Sequence, residues 1–231
     1  MAEYQSKGFI YGVGLNDTYI KAVKLSAGSV KDHYPEANIT LVAPARMVDE
    51  ECRELFDHII CNEHVPDSSR TKLWALSKTP YDLTMYLDAD TMCMSDEIST
   101  VWDQIGDNDM LFTLIRPYNS NPKGFLEDPD YKYHGGVFLY NRKALPFMVE
   151  WWDRWSRGQQ GEWDYPHTPN FRNWDQYFLY YILKYTNHGL KVGVFKEDAR
   201  WNNVVGYLAF ELGGKPEIIK HYTIMNSTGV L

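Results

Sequence analysis

The sequence predicts an α/β fold: a mostly parallel central sheet flanked by helices, in one domain spanning residues 1–231. Three observations carry this. Apolar, strand-like runs alternate with helically spaced segments through the first half of the chain. One such run leads straight into two carboxylates, Asp88-Ala89-Asp90, at the strand end where open α/β sheets bind ligands. No repeat, low-complexity tract or Gly/Ser- or Pro-rich linker divides the 231 residues, a length that one core can serve.

The elements follow in order. Residues 9–13 read as a buried strand. Over 17–33, Tyr19, Val23, Ala27 and Val30 fall at helical spacing, with Asn16 or Asp17 as the N-cap. A strand at 39–43, a helix at 48–56 and a short strand at 58–61 come next. A helix over 71–78 ends near Pro80, and a strand at 83–87 runs into Asp88. Beyond it, 109–115 and 136–140 read as strands. Pro122, Gly124 and Pro129 mark 118–131 as a surface loop. Helices are expected over 145–155 and 174–185, and late strands over 190–195 and 217–222.

Composition excludes some functions. Lys plus Arg is 23 and Asp plus Glu is 31, a net charge of −8. That balance argues against a nucleic-acid partner, which needs a basic face, while allowing a local site for one anionic small molecule. Cys52, Cys61 and Cys93 form no C-x-x-C pair, which fits a reducing compartment. The first residues contain no apolar leader, and no run of about 18 apolar residues exists. A soluble, cytoplasmic protein without a membrane span is therefore expected.

The chemistry centres on Asp88 and Asp90. Extended residues two apart point to the same side, so both carboxylates can face one ion. Hard oxygen donors favour Mg²⁺ or Mn²⁺, ions that often bridge to substrate phosphates. His221 ends another short apolar strand and is a candidate third ligand, of a type that suits Mn²⁺ better. A satisfied, partly buried histidine is the alternative. Lys72 precedes the acidic strand on its helix and can neutralise a diphosphate, touch a sugar hydroxyl or simply be solvated. Asp175 opens a helix beside Gln176 and can cap it, present a carboxylate to sugar hydroxyls, or both. Gly12-Val13-Gly14-Leu15-Asn16-Asp17 has Asp17 at the third glycine place of G-x-G-x-x-G, which disfavours a dinucleotide fold. It also lacks the Lys or Arg that a sugar-nucleotidyltransferase needs there.

Four blocks together resemble the glycogenin-like and lipopolysaccharide galactosyltransferase-like family of retaining glycosyltransferases. They are Asn16-Asp17-Thr18-Tyr19; Thr71-Lys72-Leu73 followed by Met85-Tyr86-Leu87-Asp88-Ala89-Asp90-Thr91; His134-Gly135-Gly136-Val137-Phe138; and Asp175-Gln176. They stand in the family's order across residues 8–222. The resemblance implies a GT-A fold and a metal-dependent hexosyltransferase that uses a UDP-sugar, UDP-glucose or UDP-galactose, and a carbohydrate or glycan acceptor. It implies Asp88, Asp90 and His221 as ligands of Mn²⁺ (or Mg²⁺). Asn16, Asp17 and Tyr19 would hold the uridine, with Tyr19 stacking on the base. Lys72, Asp88, Ala89, Asp90, His134 and Gly135 would line the donor site. Asp175, Gln176 and Lys72 would act at the reacting sugar.

The chain departs from the family's pattern in three places. His134 stands where the family usually has Asn. Ile224 and Ser227 replace the Gly and Lys of H-x-x-G-x-x-K after His221. The sequence stops at Leu231, without the acceptor-binding extension of some members. These departures keep a non-catalytic nucleotide- or carbohydrate-binding protein as an alternative. From Trp151 to Tyr185, 12 of 35 residues are aromatic, against about five for an even spread. Most of these rings should be core, with one or two exposed as an acceptor platform beside Asp175.

Overall fold

The computed structural model describes residues 6–115, 128–162, 173–204 and 212–222. The expected loop at 118–131 falls largely outside them, as do Ile224, Ser227 and three of the clustered aromatics.

A seven-stranded sheet forms the centre. Its strands are β1 (Lys7–Gly12), β2 (Ile39–Val42), β3 (His58–Ile60), β4 (Leu83–Leu87), β6 (Met110–Leu114), β7 (Tyr133–Asn141) and β8 (Val192–Val194), in the order β3-β2-β1-β4-β7-β6-β8. All run parallel except β7, which is antiparallel to both β4 and β6. The sequence pattern gives no strand direction, and this reversal is what it could not supply. β2 and β4 are buried at every position, as expected where both faces of a parallel sheet are covered.

One face packs on α1 (Asp17–His33), whose inward residues include Ile20, Val23, Ala27 and Val30. Its bounds are those that the spacing predicts, and Asn16 is the N-cap, with its side chain accepting from the Thr18 N–H at 3.0 Å. The short helix α2 (Glu50–Leu55) begins later than expected because Asp49 caps it. The other face packs on α3 (Thr71–Leu76), α4 (Leu145–Gln159) and α5 (Asp175–Tyr185). Here the aromatic cluster is core: Trp151, Trp155, Tyr177, Phe178, Tyr180 and Tyr181 are buried. Trp151 and Trp155 share a face, one turn apart. Trp152, off that face, is half-buried against Trp155 with centroids 5.4 Å apart.

A second, three-stranded sheet joins the late strand expected over 217–222 to two short strands that the sequence pattern does not mark. β5 (Thr91–Cys93) pairs antiparallel with β10 (Ile219–His221), which pairs parallel with β9 (Asn203–Val204), just after the short helix α6 (Asp198–Trp201). Its register sets His221 opposite Thr91. A late strand thereby reaches the end of β4. Among the described residues, no helix is long and apolar enough to cross a membrane.

Candidate active site

The carboxyl ends of β1 and β4 open onto a cavity of about 430 Å³. Tyr19, Lys72, Asp88, Ala89, Asp90, His134, Gly135, Asp175 and Gln176 line it, together with Arg70, Tyr86 and Trp174. Asn16 and Asp17 do not: both are exposed at the start of α1, and the Asn16 side chain is engaged in its cap.

Three backbone devices build the site. The Asp88 N–H donates to the Gly136 carbonyl at 2.8 Å, extending the β4–β7 pairing past the strand end. The β6–β7 register jumps between Phe112 and Thr113, so β7 bulges at Gly135–Val137. That bulge presses Gly136 so close that a Cβ there would lie 2.7 Å from Asp88 Oδ2, His134 Cε1 and His221 Cε1; only glycine leaves room for all three. Finally, a buried chain of hydroxyls fixes the turn after β4. The Asp88 carbonyl can only accept, so Thr91 Oγ1 donates to it at 2.8 Å. Ser26 on α1 then donates to Thr91 at 2.9 Å, and Tyr11 donates to Ser26 at 2.8 Å.

Asp88, Asp90 and His221 each bring one ligand atom to a common point, all within 4.8 Å of one another. His221 Nε2 lies 3.2 Å from Asp90 Oδ1 and 3.8 Å from Asp88 Oδ2. The donor side of His221 is fixed by a second one-way chain. The Val137 carbonyl accepts from Thr113 Oγ1 at 3.2 Å, which accepts from Asn202 Nδ2 at 2.9 Å. Asn202 Oδ1 therefore faces His221 Nδ1, at 2.8 Å, and takes its proton. In the neutral ring this leaves the Nε2 lone pair directed at the two carboxylates, the tautomer that a metal ligand needs. Burial opposes charge on His221, but Asp90 and then Asp88 outweigh it and raise its pKa. Asp88 Oδ1 is occupied by Lys72 Nζ at 2.8 Å and by the Tyr86 hydroxyl, which leaves Oδ2 facing the triad.

A second carboxylate corner stands across Lys72. Asp175 does not cap α5 by its side chain: Trp174 is the cap residue and no side-chain cap bond forms. Its carboxylate instead meets Lys72 Nζ at 2.7 Å and Arg70 Nε at 3.0 Å. Burial opposes its charge, but Arg70 and Lys72 prevail and hold it well below the usual carboxylate range. Burial likewise works against Lys72, and Asp175 and Asp88 together raise its pKa. Trp151 Nε1 donates to the Asp175 carbonyl at 3.0 Å, so the aromatic core anchors the start of α5. The Gln176 amide accepts from the Gly135 N–H at 2.8 Å and donates to the Tyr133 carbonyl. Both of its ends brace the β7 bulge.

His134 replaces the amide expected at that place with a ring of definite polarity. The Gly136 N–H donates to its Nδ1 at 3.0 Å, so the neutral ring carries its proton on Nε2. Burial, aided by His221 and Lys72, pushes its pKa down to about 3. Arg70, Tyr86 and Asn202 are the site residues that the sequence reading missed. Arg70 directly precedes the Thr71-Lys72-Leu73 block, and Tyr86 sits inside the block that ends in Thr91. Asn202 gave no signal, because its partners lie on distant strands.

No family model and no curated protein matches the sequence. Solved structures do match. The apo form of the glycosyltransferase GlyE of Streptococcus pneumoniae TIGR4 superposes with a TM-score of 0.62 at 15% identity, over 96% of this chain and 55% of that one. The chain thus spans about half the length of that protein. The galactosyltransferase LgtC, solved with donor and acceptor sugar analogs, gives 0.56 at 17% identity, over 94% of this chain and 86% of that one. The fold is GT-A. A glycosyltransferase involved in glycosylating the major capsid of PBCV-1 gives 0.56 at 12% identity, over 96% and 95% of the two chains. At these identities the GT-A likeness speaks for the fold; the chemistry rests on the cavity.

Proposed function

We propose that the protein is a metal-dependent glycosyltransferase that transfers a hexose from a UDP-sugar, UDP-glucose or UDP-galactose, to a carbohydrate or glycan acceptor. The carrying observation is the meeting of Asp88 and Asp90 with Lys72 and Asp175 in one cavity of a GT-A sheet, with His221 converging on the same two carboxylates. Two carboxylate oxygens and one imidazole lone pair suit Mn²⁺, or Mg²⁺ less well. Bound there, such an ion supplies Lewis-acid neutralisation of the departing diphosphate.

The chain's own residues supply the rest. Tyr19, half-buried in the cavity wall, offers its ring to the uracil. Lys72 sits between the two acidic corners and balances charge as the sugar–phosphate bond breaks. Asp175 stays ionised, so it accepts hydrogen bonds from sugar hydroxyls and faces the positive charge that develops at the anomeric carbon. The His134 Nε2–H is a donor to a sugar hydroxyl. Gly135 and Ala89 leave room for the donor. Trp174 lines the cavity next to Asp175, and its ring is the acceptor platform in this reading. Retention of anomeric configuration follows the family resemblance.

UDP release from UDP-glucose or UDP-galactose tests this, with Mn²⁺ and with or without a glycan acceptor. Release that EDTA stops is the expected result, and NMR of the fresh product reads its anomeric configuration. Mn²⁺-dependent UDP binding without release from any common sugar nucleotide would establish a binding protein instead. Unchanged UDP affinity in Asp90→Ala would defeat the metal assignment.

A further inference from the structure

The two cations of the cavity are used very differently. Lys72 spends its hydrogen bonds on Asp88 and Asp175, at 2.8 and 2.7 Å. Arg70, two residues earlier, does not. Its Nη1 donates to the Ser69 carbonyl at 3.1 Å. Its Nε lies 3.0 Å from Asp175 Oδ1 but out of alignment, and this buried N–H has no hydrogen-bond partner. Nη2 meets no acceptor among the described residues. A guanidinium carries five N–H donors, so most of this one's are open. Its side chain is only 23% exposed, and withholding acceptors from a largely buried cation is costly.

The position narrows what can satisfy it. Arg70 lines the same cavity as Tyr19 and the acidic strand end at Asp88 and Asp90. After Asp175, the Asp88 carboxylate and the Tyr19 ring are the groups that act most on its charge. A nucleotide whose base lies on Tyr19 and whose metal lies on Asp88 must pass its diphosphate between them. A planar fork of N–H donors matches phosphate oxygens in geometry and charge, which a sugar hydroxyl does not.

We infer that Arg70 is a further donor-binding residue, whose open N–H groups hold a non-bridging oxygen of the nucleotide diphosphate. This rests on the UDP-sugar reading above. Calorimetry of the whole protein in Mn²⁺, with UDP and with uridine, tests it. Arg70→Gln weakens UDP binding by at least about tenfold and leaves uridine within about twofold. Arg70→Lys keeps the charge facing Asp175 but not the fork, and loses about threefold for UDP alone. Thermal unfolding establishes that the variants are folded. An equal loss for uridine and UDP would mean that Arg70 only shapes the cavity, and an unchanged UDP affinity would mean that it does not touch phosphate; either overturns the assignment. If Arg70→Gln does not fold, the UDP-to-uridine ratio of Arg70→Lys decides: a wild-type ratio overturns it. A wild-type protein that binds no UDP in Mn²⁺ would overturn the donor reading itself, and this assignment with it.

Discussion

The two acidic corners of the cavity solve the same problem in opposite ways. Asp175 brings its own counter-charges: Lys72 and Arg70 meet it within 3.0 Å. Asp90 faces the lone-pair side of a histidine that is anchored from behind by Asn202. Asp88 shares Lys72 and turns its second oxygen to the same point. One corner sets two cations against one carboxylate, and the other sets two carboxylates against a histidine and a shared lysine. Equal carboxylate chemistry therefore takes two forms, one carboxylate held by its own cations and two that converge with a histidine in a group that could hold a metal ion.

The largest effect should come from breaking the Asp175 corner. Asp175→Ala leaves two largely buried cations facing each other, and removing one partner of a buried pair costs about 3–5 kcal/mol. Asp90→Ala, measured in EDTA, should change stability by no more than about 1 kcal/mol, because it also relieves two neighbouring carboxylates. Urea unfolding of both variants checks the contrast. Adding Mn²⁺ sharpens it: at a hundredfold excess over Kd an ion stabilises its folded host by about 2.7 kcal/mol, a gain expected for Asp175→Ala and absent in Asp90→Ala. Equal losses in the two variants would erase the distinction between the corners.

A smaller effect tests how the Asp88–Asp90 corner is aimed. The Tyr86 hydroxyl, buried and held well above its usual pKa by burial and by Asp88, donates to the Asp88 oxygen that faces away from the triad. Partners of this kind typically matter by 10- to 100-fold in metal affinity. Tyr86→Phe should lower Mn²⁺ affinity by about tenfold, read by titration of the free ion's paramagnetic resonance signal. Wild-type affinity in Tyr86→Phe would show that Lys72 alone orients Asp88.

The same contrast explains what the sequence disclosed. The Asp88–Asp90 corner was legible because its residues sit at strand ends. Asp88 and Asp90 follow a run of five buried residues, and His221 ends the strand that Ile219 opens. The Asp175 corner was legible only in part. Asp175 and Lys72 stand out in the sequence, but nothing in it sets Arg70 apart until Asp175 at the start of α5 meets it. Asn202 and Thr113 fix the tautomer of His221 through contacts between distant strands, and β5 and β9 have only two or three residues each. Strands so short show no periodicity. By contrast α1 carries its own cap and a clear apolar stripe, and its bounds needed no tertiary information.

The smallest predicted effect lies between the corners, at His134. Its folded pKa is pushed down to about 3 from an unfolded value near 6.5. Below pH 6.5 the unfolded chain takes up a proton that the folded protein refuses, so unfolding gains and stability falls as pH drops towards 3. The slope is about 1.4 kcal/mol per pH unit for one such group. His221 works in the other direction: its raised pKa gives stability that is present below 6.5 and lost as pH rises through the folded value. Asn in place of His134 cannot titrate, so His134→Asn should flatten the fall in metal-free stability between pH 6.5 and 5 by about 1 kcal/mol per unit. Urea midpoints at pH 7, 6 and 5 measure it. An unchanged slope would mean that the folded protein protonates His134 as readily as the unfolded chain does. The ring would then carry a proton on both nitrogens, and the Gly136 N–H could no longer donate to it.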